Sequence, residues 1–196
     1  MRIGSGELRG RRLRAPRGER TRPTGGRLKK SLFDVLAPRL GGSRVLDLYS
    51  GSGSLALEAL SRGASTAVVV ERNRKACDAI RRNVEELDLS GRVEVVARDV
   101  SGALPRLLDR GFRFDIVFAD PPYRSNELEK LLLYFGKGPL LVEGGLIAVE
   151  HHHKRELREG YGPLLRTRIL KAGESSVSLY ERKARDDRDP GLVLGS

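Results

Sequence analysis

The feature that most restricts this chain is a regular alternation between Arg44 and Glu150. Short β-branched runs, "RVLDLY", "TAVVVE", "VEVVA", "FDIVFA" and "GLIAVE", are separated by segments of helical period. The runs are almost continuously apolar, the pattern of strands covered on both faces. Alternation at this pitch demands right-handed βαβ crossovers and an open, doubly wound, mostly parallel α/β sheet. Helices are expected over "SLALEALSRG", closed by Gly63, and over Arg72–Leu87, with Cys77, Ile80, Val84 and Leu87 on one face. Two more are expected over "VSGALPRLLDR", broken by Pro105, and over "ELEKLLLYF", whose Tyr134 and Phe135 should be core.

Both ends depart from the pattern. "LLRTRILKAGESSVSLYER" reads as two strands around a Gly173 turn with no helix between them, so they should pair antiparallel. "RPTGGRLKKSLFDVLAPRL" reads as a turn and a helix from about Arg27 to Ala37, stopped by Pro38. Ahead of it, "MRIGSGELRGRRLRAP" interleaves Ile3, Leu8 and Leu13 with charges and glycines, the pattern of a short twisted hairpin. The expected division is a basic extension over 1–26, one α/β domain over 27–182, and a frayed tail over 183–196.

A chain of 196 residues suits a single domain with a sizeable core. No apolar run approaches the ~20 residues of a membrane-spanning helix, and "MRIG" carries no export signal. The single cysteine excludes an internal disulfide and fits a reducing compartment, so a cytoplasmic, monomeric protein is expected. The charge is more telling. Of a formal +11, residues 1–30 hold +9, eleven Arg and Lys against Glu7 and Glu19. A basic arm on a near-neutral body implies a polyanionic partner, because each phosphate contact releases condensed counterions. Arg9, Arg11, Arg12 and Arg14 are the expected RNA contacts; a solubilising arm is the plain alternative.

"VLDLYSGSGSLALEAL" sets Gly51 and Gly53 between a strand and a helix, where backbone can approach a ligand closely. The spacing also satisfies a dinucleotide fingerprint, so an NAD-dependent dehydrogenase stays open. Asp47, at the strand end, would repel a pyrophosphate but suits the ammonium group of S-adenosylmethionine. Glu71, ending the second strand, can accept both ribose hydroxyl hydrogens. Asp99 can accept from an adenine amine or simply cap the helix that follows it. Ser50, Ser52, Arg72 and Val100 adjoin these residues and complete the expected cofactor set.

"FADPPY" ends the fourth strand, and ligands of open α/β sheets bind at carboxyl strand ends. The chemistry it suits is transfer to a planar exocyclic amine, whose lone pair is delocalised and poorly nucleophilic. Asp120 can accept one N–H and the Pro121 carbonyl another, with Pro122 restricting the conformation of Pro121. Tyr123 offers a face for an extruded base. A sulfonium leaving group makes a metal unnecessary, and positioning does most of the work. A proline turn closing a strand is the bland reading of the same residues.

Taken together, "RPTGGRLKKSLFDVL", "DLYSGSGSLALEALSRGA", "VVVERN" and "FADPPY" resemble the RsmD family of bacterial 16S rRNA guanine-N2 methyltransferases, over about residues 1–182. The resemblance implies a class I, Rossmann-like methyltransferase fold and S-adenosylmethionine as cofactor. It implies one guanine of 16S rRNA, or of the small ribosomal subunit particle, as target. By motif, Asp47, Ser50, Gly51 and Gly53 would hold the methionine part, Glu71 the ribose, and Asp120 to Tyr123 the target. Arg22 and Thr24, in "RPT", match a family signature near the site entrance. The chain departs from the family's "DLFAGSG" at Tyr49 and Ser50, and has Lys171-Ala172-Gly173 where tyrosine-glycine is expected.

Other readings remain at this point: an adenine-N6 methyltransferase on DNA or RNA, and a non-catalytic RNA-binding module. "EHHHKRE" is not read as a metal site, since adjacent residues on an extended chain point to opposite sides. A solvated strand-to-helix junction is expected there instead.

Overall fold

The computed structural model describes residues 1–14, 23–122 and 127–184, with 23–25 as helical backbone only. Thirteen elements follow in order: α1 (Pro23–Leu40), β1 (Arg44–Leu48), α2 (Ser54–Ser61), β2 (Thr66–Glu71), α3 (Arg74–Glu86), β3 (Val93–Ala97), α4 (Val100–Asp109), β4 (Phe114–Ala119), α5 (Glu127–Lys137), β5 (Leu141–His152), β6 (Gly160–Tyr161), β7 (Leu164–Ala172) and β8 (Ser175–Arg182). The strands form one sheet in the order β3-β2-β1-β4-β5-β8-β7-β6. β1 to β5 run parallel, while β8 pairs antiparallel with both β5 and β7. The parallel sheet ending in an antiparallel hairpin is as expected, with one detail no local pattern reveals. The last strand in sequence is inserted inside the sheet.

Strand alternation sorts the side chains into two cores. Val45, Val69, Ile116, Phe118 and Ala148 pack with α1, α2 and α3 on one face. Leu46, Leu48, Val70, Val117, Ile147 and Val149 pack with α4 and α5 on the other. Both faces are therefore apolar, which is why the strands read as unbroken runs. α3 starts where Asn73 Oδ1 accepts from Lys75 N and Ala76 N at 2.9 and 3.3 Å.

The N-terminal residues form the expected hairpin, and it is docked on the domain. Arg2 bridges Arg12 antiparallel, and Ile3 N donates to Arg11 O at 3.0 Å. Ile3 and Leu13 are 2% and 5% exposed and belong to the core. Gly4 N donates to Glu58 Oε2, and Leu8 N to Ser61 Oγ, both at 2.9 Å. At Gly6, with φ +84°, a Cβ would lie 1.7 Å from Ser61 O, so glycine is required for this approach.

Four expectations need correction. α1 runs through Pro38 to Leu40, and α4 runs through Pro105. Each proline is exposed and removes one backbone hydrogen bond on a solvent-facing turn, whereas Leu40 and Leu107 on the opposite sides are buried and hold the helices together. β5 begins earlier than "GLIAVE", at Leu141, because Gly144 takes φ +73° and the strand continues across an irregularity. After His152 there is a turn and then β6, not a helix. His151 is 5% exposed, with Nε2 2.9 Å from Ser178 Oγ, while the His152 and His153 rings stack at 4.5 Å. No group of residues suited to a metal ion occurs among the described residues. No described helix is long and apolar enough to cross a membrane.

Candidate active site

Strand order creates the site. From β1 the chain moves outward through β2 and β3, then returns to β4 on the other side of β1, so the crossovers diverge above the β1–β4 pair. That divergence opens a crevice at the carboxyl ends of the strands. Leu48 and Ala119 are the last registered pair, and Asp120 N lies 3.5 Å from Leu48 O. The glycine turn after β1 and the proline turn after β4 are therefore side by side.

The glycine turn is built from unusual backbone. Tyr49, Gly51 and Gly53 have φ of +57°, +56° and +74°. The left-handed conformation of the tyrosine costs roughly 1 kcal/mol or more. A Cβ on Gly53 would sit 3.3 Å from Ile80. Gly53 N donates to Ser50 O at 3.0 Å, and Ser52 Oγ lies 3.8 Å from Met1 Sδ, so the hairpin reaches the turn.

Two carboxylates hold this turn. Asp47 is 1% exposed; its Oδ2 accepts from Ser50 Oγ at 2.6 Å and from Ala56 N at 3.2 Å. Burial pushes its pKa up to about 6, opposed by those two hydrogen bonds and by the Lys29 charge. Asp47 thus lies beneath the turn and shapes it. Glu71 Oε2 accepts from Gly51 N at 2.9 Å and Oε1 from Asn73 N at 2.8 Å, which ties the turn to the end of β2. Cys77, fully buried, places Sγ 3.2 Å from Glu71 O and packs in the core as expected.

A cavity of about 810 Å³ opens beside the turn. One end is lined by Val70, Glu71, Arg72, Asp99, Val100 and Leu104; the other reaches Asp120, Pro121 and Pro122. Asp47 and Ser50 to Gly53 are not among the residues that line it. Asp99 caps α4, with Oδ1 accepting from Gly102 N at 2.8 Å and Ser101 Oγ at 2.6 Å. These bonds hold its carboxyl below the usual range. The cap foreseen as the alternative is present, in a residue that also lines the cavity. Tyr123 and Arg22 lie outside the described residues, and Thr24 is described only as α1 backbone.

The far wall was not foreseen. It comprises Tyr49, Glu127, Lys130, Tyr134 and Glu150. Tyr134, expected in the core, is half-buried and faces the cavity, while Phe135 is fully buried. Burial and the neighbouring Glu127 carboxylate, which accepts from its hydroxyl, push the Tyr49 pKa well up. Tyr49 adjoins the glycine turn and Glu150 ends the "GLIAVE" run of the sequence, so the strand-end rule itself could have flagged both.

The hairpin arginines divide. Arg14 Nε and Arg11 Nη2 donate to the Glu86 carboxylate and carbonyl at 2.8 and 2.5 Å. All four are exposed, and what separates Arg11 and Arg14 is their contact with Glu86.

Comparison with known proteins places the chain in a family. The family model "Conserved hypothetical protein 95" matches residues 1–181. The chain is 38% identical over 183 residues to "Putative rRNA methyltransferase YlbH" of Bacillus subtilis, covering 93% of this chain and 100% of that one. It is 34% identical over 189 residues to "Ribosomal RNA small subunit methyltransferase D" of Escherichia coli, covering 96% and 93%. The solved structure "Putative methyltransferase yhhF from Escherichia coli" superposes with a TM-score of 0.83 at 34% identity, covering 94% of this chain and 99% of that one. The chain belongs to this family, the methyltransferases of the ribosomal RNA small subunit methyltransferase D type.

Proposed function

We propose that the protein methylates the exocyclic N2 amine of a guanine in 16S rRNA of the small ribosomal subunit, with S-adenosylmethionine as methyl donor. The observation that carries this reading is the adjacency of Asp120 to the glycine turn across the Leu48–Ala119 pair, above one cavity. A dehydrogenase has no use for an acid and two prolines at that point. A pure binding module has no use for a cavity of this size.

The residues fit the cofactor. Glu71 ends β2 at the cavity and suits ribose hydroxyls; Val70, Val100 and Leu104 give an apolar slot for the adenine, beside Asp99. Asp47 acts on the methionine end through the turn it holds. When bound, the cofactor supplies an electrophilic methyl group on a sulfonium. A fold neighbour at 16% identity is titled as a complex with SAH, and the likeness extends to the fold alone.

Asp120 and the Pro121 carbonyl accept the two amine hydrogens and aim the nitrogen lone pair into the cavity. The nitrogen becomes acidic as its new bond to carbon forms, and its proton leaves to Asp120 or to water, so no strong base is needed. The work is alignment of two bound partners. Arg9 and Arg12 on the exposed side of the hairpin contact RNA phosphates. The test is incubation of unmethylated small-subunit particles with methyl-labelled cofactor, followed by nucleoside analysis. Labelled N2-methylguanosine is expected. Labelled N6-methyladenosine would replace guanine by adenine as the target, and no label at all would remove the activity.

A further inference from the structure

An acid and two prolines hold an exocyclic amine without identifying the base, because adenine N6 and guanine N2 both offer two N–H donors. We infer that Glu150 makes the choice, selecting guanine by accepting its N1–H. This rests on the guanine-N2 reading and adds the residue that enforces it.

Ala119 and Val149 are the last registered pair of β4 and β5, so Asp120, just past β4, follows on beside Glu150 of β5. Sheet spacing continued by one residue puts their backbones about 5 Å apart. Both line the cavity. Glu150 is also rigidly mounted. It pairs with Val177 of β8, and the next residue, His151, is buried and bonded to Ser178. A recognition group on a central strand keeps its geometry better than one on a loop.

The two bases differ beside the amine. Guanine presents N1–H next to N2, a second donor; adenine presents the bare N1 lone pair next to N6. An ionised carboxylate is acceptor-only, with about four lone-pair sites on its two oxygens. Set beside Asp120, it attracts the guanine edge and repels the adenine edge. A buried polar group matched to one partner and left facing a lone pair in the other discriminates strongly.

The experiment uses reconstituted small-subunit particles carrying either guanine or 2-aminopurine at the methylated position. 2-Aminopurine keeps the 2-amino group but has a lone pair in place of N1–H. Wild-type protein is expected to prefer guanine by roughly 100-fold or more in kcat/KM. Glu150→Gln, whose amide can donate to N1, should lose roughly 10- to 100-fold on guanine while the guanine to 2-aminopurine ratio shrinks at least about tenfold. A merely structural glutamate would slow both substrates alike, and an unchanged ratio overturns the proposal. So does wild-type protein that uses 2-aminopurine as well as guanine, a result that needs no variant to fold. A wild-type product other than N2-methylguanosine is a separate failure, of the underlying reading.

Discussion

Lys29 Nζ lies 3.2 Å from Glu58 Oε2, beneath the surface where the hairpin, α1 and α2 meet. Glu58 is 1% exposed and also accepts from Gly4 N and from Arg62 Nε, at 2.9 and 2.8 Å. Lys29 donates in turn to Ser54 O at 2.9 Å, at the first residue of α2. One carboxylate thus joins the N-terminal hairpin to the helix that follows the glycine turn.

Truncating that carboxylate leaves two inward cations without their partner. Glu58→Ala is expected to cost about 3–5 kcal/mol of unfolding free energy. It should also speed amide exchange at Gly4 and Leu8. Chemical denaturation with native-state exchange checks both, and a loss below about 1 kcal/mol would show that the hub is not needed.

Asp120→Asn is expected to lower methyl transfer by at least about 100-fold, since the amide presents a donor where an acceptor is required. RNA affinity should survive. Single-turnover rates on small-subunit particles, with filter binding alongside, separate the two; loss of binding in step with rate would contradict the assignment.

Asp47 supplies a pH signature. Its pKa is about 6 in the folded chain against an ordinary 3.8, so the fold binds its proton more tightly than the unfolded chain does. Its contribution favours folding fully below pH 4 and is lost as pH rises from 4 to 6. Asp47→Asn keeps an oxygen for Ser50 and Ala56 and cannot ionise. Stability of the variant relative to wild type should therefore grow between pH 4 and 7, by on the order of 3 kcal/mol. Urea titrations at four pH values measure it, and a flat difference would mean Asp47 is not held protonated.

The hairpin's role in RNA binding is best tested by charge alone. Deleting it would also remove Ile3 and Leu13 from the core. The double substitution Arg9→Gln with Arg12→Gln touches only exposed side chains, so stability should change by no more than about 0.5 kcal/mol per site. The slope of log affinity against log salt should become shallower by roughly 0.7–0.9 per lost phosphate contact. An unaltered slope would leave the arginines as surface charge.

The sheet was legible because doubly covered strands leave unbroken β-branched runs such as "TAVVVE", and the antiparallel end because no helix fits between β7 and β8. Pro38 and Pro105 misled because the proline rule is local, whereas Leu40 and Leu107 hold their helices by packing. The place of Glu71 and Asp120 at the cavity was legible for the opposite reason: strand-end position and neighbouring residues are properties of sequence. Glu127 and Lys130 were not, since α5 reaches the cavity only through the folded topology. Asp47 was legible as a strand-end acid but not as enclosed, because depth depends on Ala56 and Lys29 arriving from other elements.

The placement of β8 between β5 and β7 has a consequence for synthesis. Until Ser175–Arg182 has left the ribosome, the Leu146–His152 edge of β5 has no neighbour and β7 is joined only to the short β6. A nascent chain stalled near Gly173 would hold its five parallel strands with one apolar border bare, a template for pairing with another such chain. Completion of the sheet therefore waits for β8, the last of the described strands to be made.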